Sequence, residues 1–253
     1  MPKKTNKRNV EKELSEMDDF IKNIENKEIS KLLHRTSISI KCKSNNQKKL
    51  IESIKKNMIT ICSGLPGTGK TYLSAAQALK LLKDKSTPYT RIILIKSVTA
   101  LKGEEIGYLP GSFNEKMMPI MESFSDNFKK ILGKSTYNML LQHEIIEVVP
   151  IAFARGRSID NSIIIIDESQ NISIDNIRTL MTRIGEDSKM IIIGDVKQKD
   201  IRNKQDSALE VILKNFDNVE QFGCVELRQD NDVVRNPLIT TIENIFEKIL
   251  EKK

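Results

Sequence analysis

The sequence predicts an α/β fold: a mostly parallel sheet sandwiched by helices, preceded by a short helical N-terminal extension. Three observations predict it. From Gln47 onward, short β-branched runs alternate with helical periods, the pattern of a sheet covered by helices. Several of those runs are apolar at every position, as strands buried on both faces must be. The 253 residues are 39% apolar and 5% aromatic without any Trp, which suits an aliphatic core and excludes a wholly disordered or fibrous chain.

Taken in order, residues 1 to 20 mix Lys, Asn and Glu without an apolar period and read as a flexible arm. Residues 18–33 read as a helix, with Asp18 and Asp19 as caps and Phe20, Ile21, Ile24, Ile29 and Leu32 on one face. Strands are expected at Met58–Cys62, Arg91–Ile95, Ile145–Val149, Ile163–Ile166, Met190–Ile193 and Val219–Leu227. A helix through Ala75, Ala78 and Leu82 follows the first of them. The clearest helix follows Ser173, where Ile174, Ile177, Leu180, Met181 and Ile184 recur at helical spacing between a Ser cap and a Gly185 stop. Asn236–Lys252 reads as the last, with Pro237 in its first turn. Without repeats or a low-complexity linker, the expected division is an N-terminal extension over 1–45 and one domain over 46–253.

The net charge is 41 − 34 = +7, but it is localised. Residues 1–50 carry 13 basic and 7 acidic side chains, leaving 28 against 27 for the rest. Global charge therefore argues for a solubilising, phosphate-tolerant leader and not for a basic nucleic-acid-binding core. Cys42, Cys62 and Cys224 lack paired spacing, and His34 and His143 are the only histidines, so neither a disulfide framework nor a zinc site is expected. The N-terminal Lys3, Lys4, Lys7 and Arg8 lead into acidic residues instead of an apolar signal core, and no apolar run reaches a membrane span. The expectation is a reduced protein of the cytoplasm without a membrane partner.

Gly64-Leu65-Pro66-Gly67-Thr68-Gly69-Lys70-Thr71 matches in full the phosphate-binding loop pattern, between an expected strand and an expected helix. Backbone N–H groups and the positive helix end would face the phosphates, Lys70 would sit between the β- and γ-phosphates, and Thr71 would complete a magnesium shell. Tyr72 follows directly and joins the nucleotide-binding set. About a hundred residues on, the run Ile163–Ile166 ends in Asp167-Glu168. Asp167 is placed to hold magnesium through its water shell, and Glu168 to polarise an attacking water. The run Met190–Ile193 leads into Gly194-Asp195-Val196-Lys197-Gln198, where Gln198 would sense the γ-phosphate; a plain turn reads equally well there.

The order Gln47, phosphate loop, Asp167-Glu168-Ser169-Gln170, then Gly194-Asp195-Val196-Lys197-Gln198 resembles the first half of a superfamily-one helicase, and more narrowly the PhoH family of bacteria and their phages. Gly103 to Gly111, Arg155-Gly156-Arg157, Thr182-Arg183-Ile184-Gly185 and Asp232-Val233-Val234-Arg235-Asn236-Pro237 resemble that family's signatures, and the match covers some four fifths of the chain. The resemblance implies a RecA-like P-loop ATPase using ATP and Mg²⁺, coupled to single-stranded RNA or DNA, with Gln47 reading adenine. Lys96-Ser97 departs from the Arg-Pro expected of the family. With Arg155 and Arg157, Lys96 is the candidate nucleic-acid contact.

A two-domain helicase takes transition-state arginines from its second half, so here a neighbouring subunit is the expected donor, in a homo-oligomeric ring, by analogy a hexamer. Arg183 is the candidate in trans and Arg235 its rival in cis. A nucleotide-switched assembly protein without motor activity is the competing reading. A small-molecule kinase would need a substrate pocket and an arginine-rich lid that the sequence does not display.

Overall fold

The computed structural model describes residues 31–96, 125–154, 158–198, 207–236 and 238–250. Six strands, β1 (Ile59–Gly64), β2 (Arg91–Lys96), β3 (Ile146–Pro150), β4 (Ser162–Asp167), β5 (Lys189–Gly194) and β6 (Phe222–Leu227), pair entirely in parallel in the order β3-β2-β4-β5-β1-β6. The expected α/β class and RecA-like arrangement are present. β5 lies between β1 and β4, so the phosphate loop and the Asp167-Glu168 pair leave the same sheet edge one strand apart.

The isoleucine-rich runs form strands because alternate residues enter two different cores. Ile163, Ile165, Ile191 and Ile193 face one cluster; Ile164, Ile166, Met190 and Ile192 face the other. The first is covered by α1 (Asn45–Lys56), α2 (Lys70–Lys83), a helix at 125–132, here α3, and α4 (Lys134–Gln142), through Leu50, Ile54, Leu79, Phe128 and Leu140. The second is covered by α5 (Ile174–Met181) and α6 (Ala208–Phe216), through Ile177, Leu180, Leu209 and Ile212. A last helix, α7 (Leu238–Leu250), follows the turn after β6. Leu33 and Ile38, upstream of α1, are buried in the first core.

Several expected boundaries move. The strand expected from Val219 begins at Phe222, because Asn218 and Gln221 take positive φ (68° and 67°) and the Phe222 N–H closes a turn onto Val219 O. The helix expected to run through Ile184 ends at Met181; Ile184 instead bridges to Ile159 ahead of β4, and the Gly185 N–H donates to Ile159 O. The first strand extends two residues further, into the phosphate loop, and Met58 is left exposed. Residues 18–30, the segment Gly103–Gly111, Arg155–Arg157 and Pro237 lie outside the described residues.

At the opposite sheet edge Lys189 is 4% exposed and donates to the Asn57 carbonyl. Burial pushes its pKa down to about 8 from 10.5. The unfolded chain therefore holds the extra proton between these values, and this group makes the fold more stable as pH rises through that window. Chemical denaturation at pH 7.5 and 9.5 should show a smaller gain, or a larger loss, in Lys189→Met than in the unaltered protein. Equal pH slopes in the two would refute the effect.

Candidate functional site

The carboxyl ends of β1, β2, β4 and β5, helix α3 and the segment before α7 enclose a cleft of about 490 Å³. The phosphate loop forms its floor. Gly67 and Gly69 adopt φ of 77° and 80°, backbone open to glycine and strained for other residues. Gly69 then caps α2 without a side-chain acceptor, so the first-turn N–H groups remain available to an anion. The loop is pinned from behind by Leu65 N–H to Leu227 O (3.0 Å) and Thr68 Oγ1 to Leu65 O (2.8 Å).

Lys70 Nζ folds back onto the carbonyls of Gly64 (2.5 Å) and Leu65 (3.0 Å). Burial holds its pKa below the ordinary lysine value, against the pull of the Asp195, Asp167 and Glu168 carboxylates. Thr71 Oγ1 donates to Asp167 Oδ2 at 3.1 Å, and the Glu168 N–H to Asp167 Oδ1 at 2.8 Å. Burial, and secondarily the Glu168 charge, raise the Asp167 carboxyl above the usual carboxylate range. That donor set suits magnesium, which favours hard oxygens: a hydroxyl and a desolvated carboxylate 3.1 Å apart, with Thr71 and Asp167 the residues that would hold the ion directly or through its waters.

Glu168, in left-handed backbone at φ 53°, and Gln198 line the same cleft with Asp195. Lys96 lies beside Asp167 in the β2–β4 register, so it reaches this cleft. Arg235 lines the wall: the Val234 N–H donates to Gly67 O at 3.0 Å, bringing Arg235 Cβ within 3.2 Å of where a side chain on Gly67 would begin. Tyr72 and Pro66 complete the entrance. Arg183 is elsewhere. Its carbonyl accepts the Ile159 N–H at 2.9 Å, at the amino end of β4, so the whole strand separates it from Asp167.

The PhoH family model, described as PhoH-like protein, matches residues 39–247. The chain belongs to the PhoH family. It is 34% identical over 210 residues to a PhoH-like protein of Bacillus subtilis, covering 83% of this chain and 65% of that one. To Protein PhoH of Escherichia coli it is 32% identical over 206 residues, covering 81% and 57%. The chain thus spans about three fifths of the length of these relatives. Among solved structures, Pif1 helicase from Candida albicans aligns at a TM-score of 0.36 with 12% identity over 74% of this chain and 39% of that one. Bacteroides sp Pif1 in complex with ADP-AlF4 aligns at 0.32 with 16% identity over 76% and 43%. Both are too distant to bear on the chemistry.

In this PhoH chain three features of the cleft were not anticipated. Asn127 and Lys130 project from α3 into it. They stand three residues apart on a helix whose Phe128 and Leu132 are buried, and that i, i+3 polar pair was the available signal. Gln47 is 2% exposed, with Oε1 accepting from Lys43 N–H (2.6 Å) and Nε2 donating to Thr68 O (3.0 Å). In this conformation its amide braces the phosphate loop. Gln170 lies buried beneath the cleft.

Proposed function

We propose that this PhoH chain binds ATP with magnesium in the cleft and hydrolyses it, as a homo-oligomer coupled to single-stranded RNA or DNA in the cytoplasm. The observation that carries the reading is the convergence of Lys70, the Thr71–Asp167 pair, Glu168 and Gln198 on one cleft from three strand ends. The N–H groups of the loop and the Lys70 ammonium bind the phosphates. Thr71 and Asp167 would hold the magnesium, which neutralises phosphate charge when bound. Glu168 orients a water and accepts its proton as that water attacks the γ-phosphorus and the bond to ADP breaks. Gln198 hydrogen-bonds the γ-phosphate. Tyr72 and Val234 flank the entrance where a base would rest, and Gln47 reads the adenine edge once it exchanges one of its two internal hydrogen bonds.

Oligomerisation is supported by α7. Leu238, Ile242, Ile245 and Ile249 follow a 4-3-4 heptad spacing and, with Phe246, are 43–58% exposed. A second copy presents the same seam, a self-complementary contact that pairs two chains, while the ring, by analogy a hexamer, needs a further head-to-tail contact. Ile242→Glu with Ile245→Glu is expected to shift the assembly toward single-chain mass in light scattering. An unchanged mass would exclude this seam as the contact.

ATP hydrolysis on size-resolved oligomer, with and without single-stranded RNA and DNA, tests the function. Stimulation several-fold, falling with added salt, is the expected result. Lys96, Arg155 and Arg157 are the candidate strand contacts, and Lys96 bridges both roles from its place beside Asp167. Hydrolysis indifferent to either strand and tracking oligomer size alone would leave the nucleotide-switched assembly. Among the described residues no helix is long and apolar enough to cross a membrane.

A further inference from the structure

A single buried amide joins two of the strand ends that line the cleft. Gln170 is 2% exposed, its Nε2 donates to Glu168 Oε2 at 2.7 Å, and its Oε1 accepts the Asp195 N–H at 3.0 Å. Both ends of the amide are used, which fixes its orientation. The fit is close: a Cβ on Gly194 would fall 2.4 Å from Gln170 Oε1, so the approach of β5 requires glycine there. The backbone beneath is held as well, by Ser207 Oγ to Gln170 O (3.0 Å) and Ser169 Oγ to Ile193 O (2.8 Å). Beyond Asp195, its carbonyl accepts the Gln198 N–H at 3.1 Å. Glu168 and the turn that carries Gln198 are therefore connected through one side chain.

We propose that Gln170 is a positioning residue that aims the Glu168 carboxylate at the attacking water and fixes it relative to the 195–198 turn, so that water activation and γ-phosphate contact are set as one unit. The proposal rests on the reading of Glu168 as the base. A carboxylate on a two-carbon stem samples several rotamers, and a misplacement of about 1 Å can cost on the order of 100-fold in rate. A donor at 2.7 Å, anchored to the neighbouring strand end, removes that freedom.

The test compares Gln170→Met, which keeps length and loses both bonds, with Gln170→Asn, which keeps the neutral amide on a stem one carbon shorter and so withdraws it from Glu168 and Asp195. Both are expected to lower kcat by roughly 10- to 100-fold while KM and ADP affinity stay within about threefold. Combined with Glu168→Ala, either change adds little further loss, because the two side chains act through the same water. Gln170→Asn carries the same test if the Met variant does not fold. An unchanged kcat, ADP affinity falling in step with kcat, or losses that add in full to the residual rate of Glu168→Ala would overturn the role. An active Glu168→Ala would instead sink the base assignment, and this role with it.

Discussion

Arg235→Ala is expected to lower kcat about 10³-fold with ADP affinity within a few-fold of normal, and mixing with Lys70→Ala subunits is expected not to restore it. The charge on a transferring phosphoryl group needs a cation in the transition state, and supplying one is worth roughly 10³–10⁵ in rate. Arg235 lines its own chain's cleft, tied to the loop by the Val234 N–H to Gly67 O bond. Arg183 cannot serve that cleft. It sits at the amino end of β4, and the six residues to Asp167 span on the order of 17–20 Å. If Arg183 acts, it acts on a neighbour. Arg183→Ala is then inactive alone and recovers when mixed with Lys70→Ala, whose arginine is intact. The steady-state rate of mixed oligomers at varied ratios separates the two arginines. Recovery of Arg235→Ala by mixing would overturn the assignment in cis.

The strands were legible because burial on both faces leaves no polar alternation to misread. Ile163–Ile166 and Met190–Ile193 are apolar throughout since odd and even residues feed separate cores. The positions of the loop and Asp167 were legible because the glycine pattern sits between a strand and a helix and the acidic pair ends an apolar run. What failed was local punctuation decided by tertiary contact. Ile184 continues the helical period of α5, yet pairing with Ile159 outweighs one more turn of helix. Gln47 keeps its proposed role as a base contact, and its further hold on Thr68 O becomes visible only once α1 packs behind the loop. Asn127 and Lys130 reach the cleft from a helix distant in sequence from every motif, and their i, i+3 spacing marks a shared polar face without telling what that face meets. In the sequence Gln170 is only the last residue of the Asp167-Glu168-Ser169-Gln170 motif, and the return of β5 shows its amide spanning two edges.

Asp167→Asn is expected to abolish magnesium-dependent hydrolysis, by about 10³-fold or more if the metal neutralises the phosphate charge as proposed, and yet to melt a few degrees higher without ligand. Both follow from one desolvated carboxylate. Burial and the adjacent Glu168 raise the Asp167 pKa, so the folded chain holds the proton more tightly than the unfolded chain. A raised folded pKa favours the fold fully below the unfolded value and loses that advantage as pH rises through the folded one. At neutral pH the ionised carboxylate is therefore a cost that Asn removes, while its side-chain oxygen still accepts the Glu168 N–H and its NH2 donates to Thr71 Oγ1, a hydroxyl that can also accept. The gap between variant and parent should shrink as pH falls toward the acid range. Addition of magnesium and ADP reverses the ranking: at a hundred times Kd a ligand stabilises the parent by about 2.7 kcal/mol, and the Asn variant forgoes most of it. Thermal melts with and without magnesium and ADP, at pH 5 and pH 7.5, read all four values. A variant less stable than the parent without ligand would mean that the Thr71–Asp167 contact outweighs the desolvation. An undiminished magnesium-dependent shift would remove Asp167 from the metal shell.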